Sequence, residues 1–139
     1  MTPTLLGRWQ TRVLLTLTVG IVLTWPFSLV AGGAAFTILF SVLFWGLLWD
    51  GLYTFIQKFR WDRDWPAAFQ VAAGVWEAFF LLLLLSTTGL FGIFIDDGFF
   101  SFFWFVVHYS TVWLGIFLSS QVLMRLLFPQ WRFRGGRWF

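Results

Sequence analysis

The feature that most restricts how this chain can fold is a run of 37 residues, Val13 to Trp49, without a single charge. As one helix the run would be about 55 Å long at 1.5 Å per residue, nearly twice the ~30 Å hydrocarbon thickness of a bilayer. The run must therefore turn, and Gly32-Gly33 is the obvious place. This predicts two helices, at roughly 12–31 and 34–57, and Pro26 is expected to kink the first.

The composition explains why such a run cannot belong to a soluble fold. The chain has 139 residues, of which 60% are hydrophobic and 11% charged, with 20 Phe and 11 Trp. A soluble domain has about 25% charged residues, and one of this size could not bury so much apolar surface. A polytopic membrane protein is predicted. The lack of Cys excludes disulfides and thiolate metal sites, and the single His excludes motifs that need several.

The second half of the chain predicts a second pair of helices, at roughly 65–88 and 99–127. Asp64 is expected to cap the first of these helices, with Pro66 in its first turn. Between them lies the turn signal Asp96-Asp97-Gly98. We interpret its two acids as the cap of the last helix, because the pair is too short for a metal motif.

The placement of charge predicts the orientation. Four crossings bring all nine Lys and Arg residues to one side, with both termini and the loop 58–65. The positive-inside rule makes that side cytoplasmic. The predicted fold is all-α: a single membrane domain over residues 1–139, forming a four-transmembrane-helix bundle of two antiparallel hairpins with both termini cytoplasmic. The membrane would be a prokaryotic inner membrane or an internal one. The alternative for residues 1–31 is a cleaved signal peptide.

Polar side chains recur along one face of each helix in the middle of the chain. The face begins at Gly46 in the second helix and at Gln70 in the third, and continues at intervals of three and four residues. Such faces are expected to contact other helices, because an unpaired acid against lipid is costly. The predicted intramembrane polar site consists of Asp50, Tyr53, Gln57, Gln70, Glu77 and His108.

Glu77 and His108 are expected at similar depths, roughly 16 Å and 13 Å from opposite faces of the membrane. If the third and fourth helices pack as neighbours, the two side chains could meet. A carboxylate and an imidazole at the midplane can relay protons or bind a cation. The alternative is a buried hydrogen bond that fixes helix packing.

Asp50 is expected roughly 10 Å inside the cytoplasmic face. Gly46 and Gly74 would let the second and third helices approach closely, so that the neighbouring amide and phenol side chains could hydrogen-bond to Asp50. The functional interpretation is a water-filled vestibule or a headgroup site. The alternative is that Asp50 pairs with Arg60 or Lys58 near the interface.

Two segments on the predicted cytoplasmic side mix charged and aromatic residues. Both suit a partner protein or anionic headgroups, which attract basic residues by about 1 kcal/mol each. The alternatives are a solvated turn with interfacial anchors and a tail that only sets topology. The single Arg-Gly-Gly is no evidence for RNA binding, and no nucleic-acid partner is expected. The predicted contact residues are Lys58, Arg60, Trp61, Asp62, Arg63, Asp64, Trp65, Arg132, Arg134 and Arg137.

Motifs of known catalytic chemistry, such as HExxH or a phosphate-binding loop, are missing, so no enzymatic activity is expected. Tryptophans within the helices could line a pocket for a quinone or carotenoid, but no cofactor is needed to explain them.

Two function classes remain. The preferred one is a subunit, or an assembly or stabilising factor, of a larger membrane complex, which acts by helix–helix contact. It implies a membrane-protein partner or self-association besides the lipid bilayer. The alternative is a small homo-oligomeric ion or proton-coupled channel or transporter that uses Glu77, His108 and Asp50.

Overall fold

The computed structural model describes residues 2–89 and 102–139, and every regular element within them is helical. Within those residues, four spans are long and apolar enough to cross a membrane, which agrees with the predicted helical class and the predicted number of such helices. We call them α1 (Leu5–Ala31), α2 (Gly33–Gln57), α3 (Ala67–Thr87) and α4 (Phe102–Gln121), the last continued by a short α5 (Leu123–Leu127). The predicted turn at 96–98 and the predicted helix residues 99–101 lie outside the described residues.

Helix α1 begins at Leu5, seven residues before the expected start. The Thr4 side chain caps it by accepting a hydrogen bond from the Gly7 backbone N–H at 3.1 Å. The two arginines that follow therefore belong to the helix, where their long side chains can turn inward. The predicted start at about residue 12 is therefore wrong, because the uncharged run alone determined it and the charged segment before the run is also helical.

The predicted turn between the first two helices is present. Gly32 adopts a left-handed φ of 59°, which glycine reaches without a steric penalty, and α2 starts at the next residue. Pro26 lies inside α1 as expected. The sequence did not indicate the π-helical turn at Thr16–Gly20. This turn, which precedes Pro26 in the same helix, contains one more residue than an α-helical turn.

Helix α3 follows the loop, but Asp64 does not cap it. The residue at the N-cap position is Pro66, whose extended backbone (ψ 160°) leads into the helix without a side-chain hydrogen bond. The last apolar span is interrupted at Val122, which separates α4 from α5.

The bundle has two unlike ends. At one end the tail 128–139 folds back on the start of α1, where the Thr4 N–H donates to Gly135 O at 2.8 Å. Gln57, the last residue of α2, lies at the same end and accepts from Arg8 at 2.9 Å. We call this the terminal end. The opposite end is filled by an apolar cluster of Ile38, Leu81, Leu85, Phe105 and Tyr109.

Helix α1 lies at the centre of the packing, with its backbone close to both α2 and α4. Helices α3 and α4 meet through long side chains instead. The Tyr109 hydroxyl donates to Gly74 O at 2.7 Å, and the Gln121 amide donates to Gln70 Oε1 at 3.2 Å. The wider spacing of this helix pair leaves the space in which the candidate site lies.

Candidate functional site

One guanidinium joins three helices at the centre of the polar faces. Arg12 of α1 donates from Nε and Nη2 to the two oxygens of Asp50, at 2.8 and 3.0 Å. It also donates from Nη1 and Nη2 to the two oxygens of Glu77, at 3.0 Å each. Asp50 is 3% exposed and Glu77 5% exposed. Both predicted acids therefore lie in one site, and they are bridged by a cation that the sequence did not assign to it.

The paired geometry determines what these acids can do. Each carboxylate receives two nearly parallel N–H···O contacts, the strongest arrangement available to such a pair. Two buried acids sharing one arginine carry a net charge of −1. Removing the arginine would leave two uncompensated charges in a region of low dielectric. The triad Arg12–Asp50–Glu77 therefore holds α1, α2 and α3 together.

The glycines on the two polar faces make room for side chains rather than for close helix contact. A Cβ at Gly46 would overlap the guanidinium of Arg12. A Cβ at Gly74 would overlap the indole nitrogen of Trp113. We expected these glycines to let α2 and α3 approach each other closely. Instead, each glycine leaves space for a large side chain from another helix.

Arg12 was missed because it immediately precedes the uncharged run and was assigned to the membrane surface. A signal was present nevertheless. Two acids predicted at intramembrane depth require a cation nearby. Arg8 and Arg12 are spaced by four residues and so share one face of a helix that could extend upstream.

Arg8 links the start of α1 to the loop that follows α2. Its guanidinium lies 4.5 Å from the ring centroid of Trp65 and donates to Gln57 Oε1 at 2.9 Å. Gln57 in turn donates to Arg63 O at 2.6 Å. Gln57 therefore organises the loop, instead of bonding to Asp50 as the sequence suggested.

Tyr53 and Gln70 also have partners other than Asp50. The Tyr53 hydroxyl lies 3.5 Å from Ala73 O, across the α2–α3 contact. The Gln70 amide donates to the Ser120 hydroxyl at 3.3 Å and therefore spans α3 and α4. The two residues do lie beside the predicted site, since both line the same cavity as the triad.

His108 is buried and faces α1. Its Nε2 lies 3.1 Å from the Thr24 hydroxyl, and its ring meets the Phe27 ring edge-on at a centroid distance of 4.9 Å. Glu77, its predicted partner, is bound to Arg12. His108 and Glu77 nevertheless line one cavity, so they share a site without forming the pair that the sequence suggested.

The cavity lies between α1, α3 and α4 and has a volume of about 270 Å³. Its walls contain both acids of the triad and His108. Towards the terminal end they contain Arg125 and Arg132, which are exposed. The cavity therefore connects the most deeply buried polar groups with the basic surface of the terminal end.

The loop places its predicted contact residues in two groups. Trp61 and the neighbouring Phe59 are 97% and 77% exposed. Arg60 instead folds back, donating to Asp62 at 2.9 and 3.0 Å and lying 4.7 Å from the Phe69 ring centroid. That hydrogen bond, helped by the backbone N–H of Asp64, lowers the pKa of Asp62 to about 2. Lys58 is exposed, and Arg63 has a left-handed φ of 49°.

The tail is an ordered part of the terminal end. The Trp131 indole donates to the Thr11 hydroxyl at 2.8 Å, and that hydroxyl donates to Gly136 O at 3.0 Å. Trp131 is 5% exposed. The predicted headgroup residues of the tail, Arg132, Arg134 and Arg137, are all exposed, and Arg132 also lines the cavity.

Within residues 2–89 and 102–139, no three His, Asp or Glu side chains are grouped closely enough to hold a metal ion. Comparison with known proteins finds no matching family model, no matching curated protein and no matching solved structure.

Proposed function

We propose that this chain is an integral membrane protein with both termini in the cytoplasm, and that it acts by contact as a subunit or assembly factor of a larger membrane complex. The observation that carries the proposal is the triad. Arg12 uses both acids to join three helices, which is how a polar group that stabilises a bundle behaves. The buried chemistry is thereby explained without a transported solute.

The proposed contact surface is the terminal end. Trp61 at 97% exposure and Phe133 at 88% are too exposed to stabilise the bundle itself. Exposed aromatic residues next to arginines are the residue types enriched in protein interfaces. The orientation is supported by the basic residues, because the loop, the tail and the start of α1 all lie at this end.

The direct test is purification of the tagged protein from its native membranes in mild detergent, followed by mass spectrometry. A stoichiometric membrane partner is expected, and its recovery should fall when Trp61 and Phe59 are replaced by Ala. The matched control is the pair Val22→Ala and Leu29→Ala, which changes side chains 70% and 77% exposed on the flank of α1. Recovery of a homo-oligomer alone would contradict the proposal.

A second function is favoured by the cavity. A small channel or transporter could use Glu77, His108 and Asp50, since all three line a space that reaches the terminal end. Proton or cation flux into liposomes tests it, comparing the wild type with Glu77→Gln and His108→Ala. Flux that these variants abolish at normal protein abundance would favour transport over contact.

A further inference from the structure

The cavity has more positive than negative charge. Arg8, Arg12, Arg125 and Arg132 all line it, against the carboxylates of the triad. Arg12 is taken up by the two acids, whereas in the described part of the chain the other three arginines have no carboxylate partner. Arg125 donates a hydrogen bond to the neutral Gln121 side chain at 2.8 Å. The cavity is therefore suited to an anion at its terminal end.

Arg8 supports the same conclusion independently. Its Nε is buried and has no hydrogen-bond partner among the described residues. The side chain contacts a neutral amide and the face of an indole, and among the described residues it forms no direct ion pair with a carboxylate. A half-buried cation without a direct ion pair favours a negatively charged ligand within reach.

An apolar groove adjoins the basic cavity. It lies between α3 and α4, has a volume of about 380 Å³, and shares Gly74, Tyr109 and Trp113 with the cavity. The rest of its wall is hydrocarbon-like apart from Ser110, and it includes Val75 and Leu114, which are half exposed. A basic pocket and an apolar groove thus meet at one indole.

We propose that the gap between α3 and α4 binds one anionic phospholipid from the leaflet at the terminal end. Its phosphate lies between Arg125, Arg132 and Arg8, and one acyl chain lies in the groove beside Trp113. Basic pockets between membrane helices bind anionic headgroups in this way. The negative triad lies deeper and keeps the headgroup near the mouth. The proposal rests on membrane insertion of the chain, but not on its being a subunit.

The test uses the full chain in mild detergent and measures lipid affinity by native mass spectrometry. Phosphatidylglycerol is expected to bind at least tenfold more tightly than phosphatidylcholine. The double variant Arg125→Gln/Arg132→Gln should weaken phosphatidylglycerol by about fivefold per arginine. Arg134→Gln/Arg137→Gln is the matched control, because these tail arginines are exposed and lie outside the cavity wall. Its affinity should stay within twofold of the wild type.

A second variant pair tests the groove. Val75→Trp should fill the groove and lower phosphatidylglycerol affinity, whereas Val22→Trp, at an exposed position on α1, should not. Both side chains are exposed, so neither change disturbs the core.

Three outcomes would overturn the proposal. Equal binding of phosphatidylglycerol and phosphatidylcholine would remove the anion preference. Equal losses of phosphatidylglycerol affinity in the two arginine double variants would indicate diffuse electrostatic attraction to the surface. Displacement of the lipid by millimolar inorganic phosphate, with no effect of Val75→Trp, would indicate a soluble anion instead.

Discussion

The terminal and opposite ends of the bundle are held together by different interactions. At the opposite end, Ile38, Leu85 and Phe105 are almost completely buried and contribute only apolar atoms. At the terminal end, the helices are joined by Arg12 and its two acids, by amide contacts, and by a tail that hydrogen-bonds to α1. Dispersion therefore dominates the packing at the opposite end, and directional bonds are concentrated towards the terminal end.

The difference matters because the two kinds of packing respond differently to change. In a bilayer, where we propose that this bundle lies, there is little hydrophobic drive between helices, so an apolar contact is easily exchanged for a lipid contact. A buried arginine has no such substitute, since losing one partner exposes a charge to a low dielectric. The terminal end should therefore be the specific and fragile part of the fold, and the opposite end the tolerant one.

The largest effect is expected from Arg12→Met, which leaves two carboxylates without a cation. The free energy of unfolding, measured by titration with a denaturing detergent, should fall by about 3–5 kcal/mol. The comparison variant at the opposite end is Leu85→Ala, with an expected loss of about 2–3 kcal/mol. A larger loss for Leu85→Ala would reverse the ranking of the two ends.

The triple variant Arg12→Met/Asp50→Asn/Glu77→Gln serves as a further control for this prediction. It removes the charges together and should recover most of the stability that Arg12→Met loses. Failure to recover would mean that the charges themselves, rather than their balance, are needed for folding.

A smaller loss is expected from Gly46→Ala. Its Cβ would overlap the Arg12 guanidinium and force the ion pairs apart, costing about 1–3 kcal/mol in the same titration. Gly51→Ala is the matched control on α2, because nothing lies within 4 Å of the added Cβ. That change should be neutral or slightly stabilising, since alanine favours a helix by about 1 kcal/mol over glycine. Equal changes in the free energy of unfolding for Gly46→Ala and Gly51→Ala would argue against the role of Gly46 in making space for Arg12.

The tail contact should be weaker still. Thr11→Val removes the acceptor of the Trp131 indole and the donor to Gly136 O. The loss of these two hydrogen bonds should lower the free energy of unfolding by about 1–2 kcal/mol in all. Trypsin should then cut the tail after its arginines faster than in the wild type. Thr18→Val, whose hydroxyl bonds only within α1, should leave the rate unchanged.

The smallest effect concerns the exposed pair Arg60 and Asp62. The pKa of Asp62 is lowered from 3.8 to about 2, chiefly by the Arg60 hydrogen bond. A lowered carboxyl pKa stabilises the folded loop above pH 3.8, and that contribution is lost as the pH falls through about 2. Carbon-13 titration of the Asp62 carboxyl should show a higher pKa in Arg60→Gln. Replacing Lys58 by Gln should leave it unchanged.

The two ends also differ in how far the sequence predicted them. The helical class, the turn at Gly32 and the polar faces of α2 and α3 followed from charge and periodicity, which are local properties. The partner of Asp50 did not, because Arg12 lies 38 positions away and only the packing of α1 brings it there. The pairing of His108 with Thr24 spans 84 positions and depends on the register that the π-helical turn sets.

The bond between Thr4 and Gly135 closes the chain into a ring, since it joins residues 131 positions apart. A ribosome makes α1 before it makes the tail 128–139, so the start of α1 lacks this bond until the tail has been synthesised. A truncated chain would keep all four apolar spans and still lack this closure.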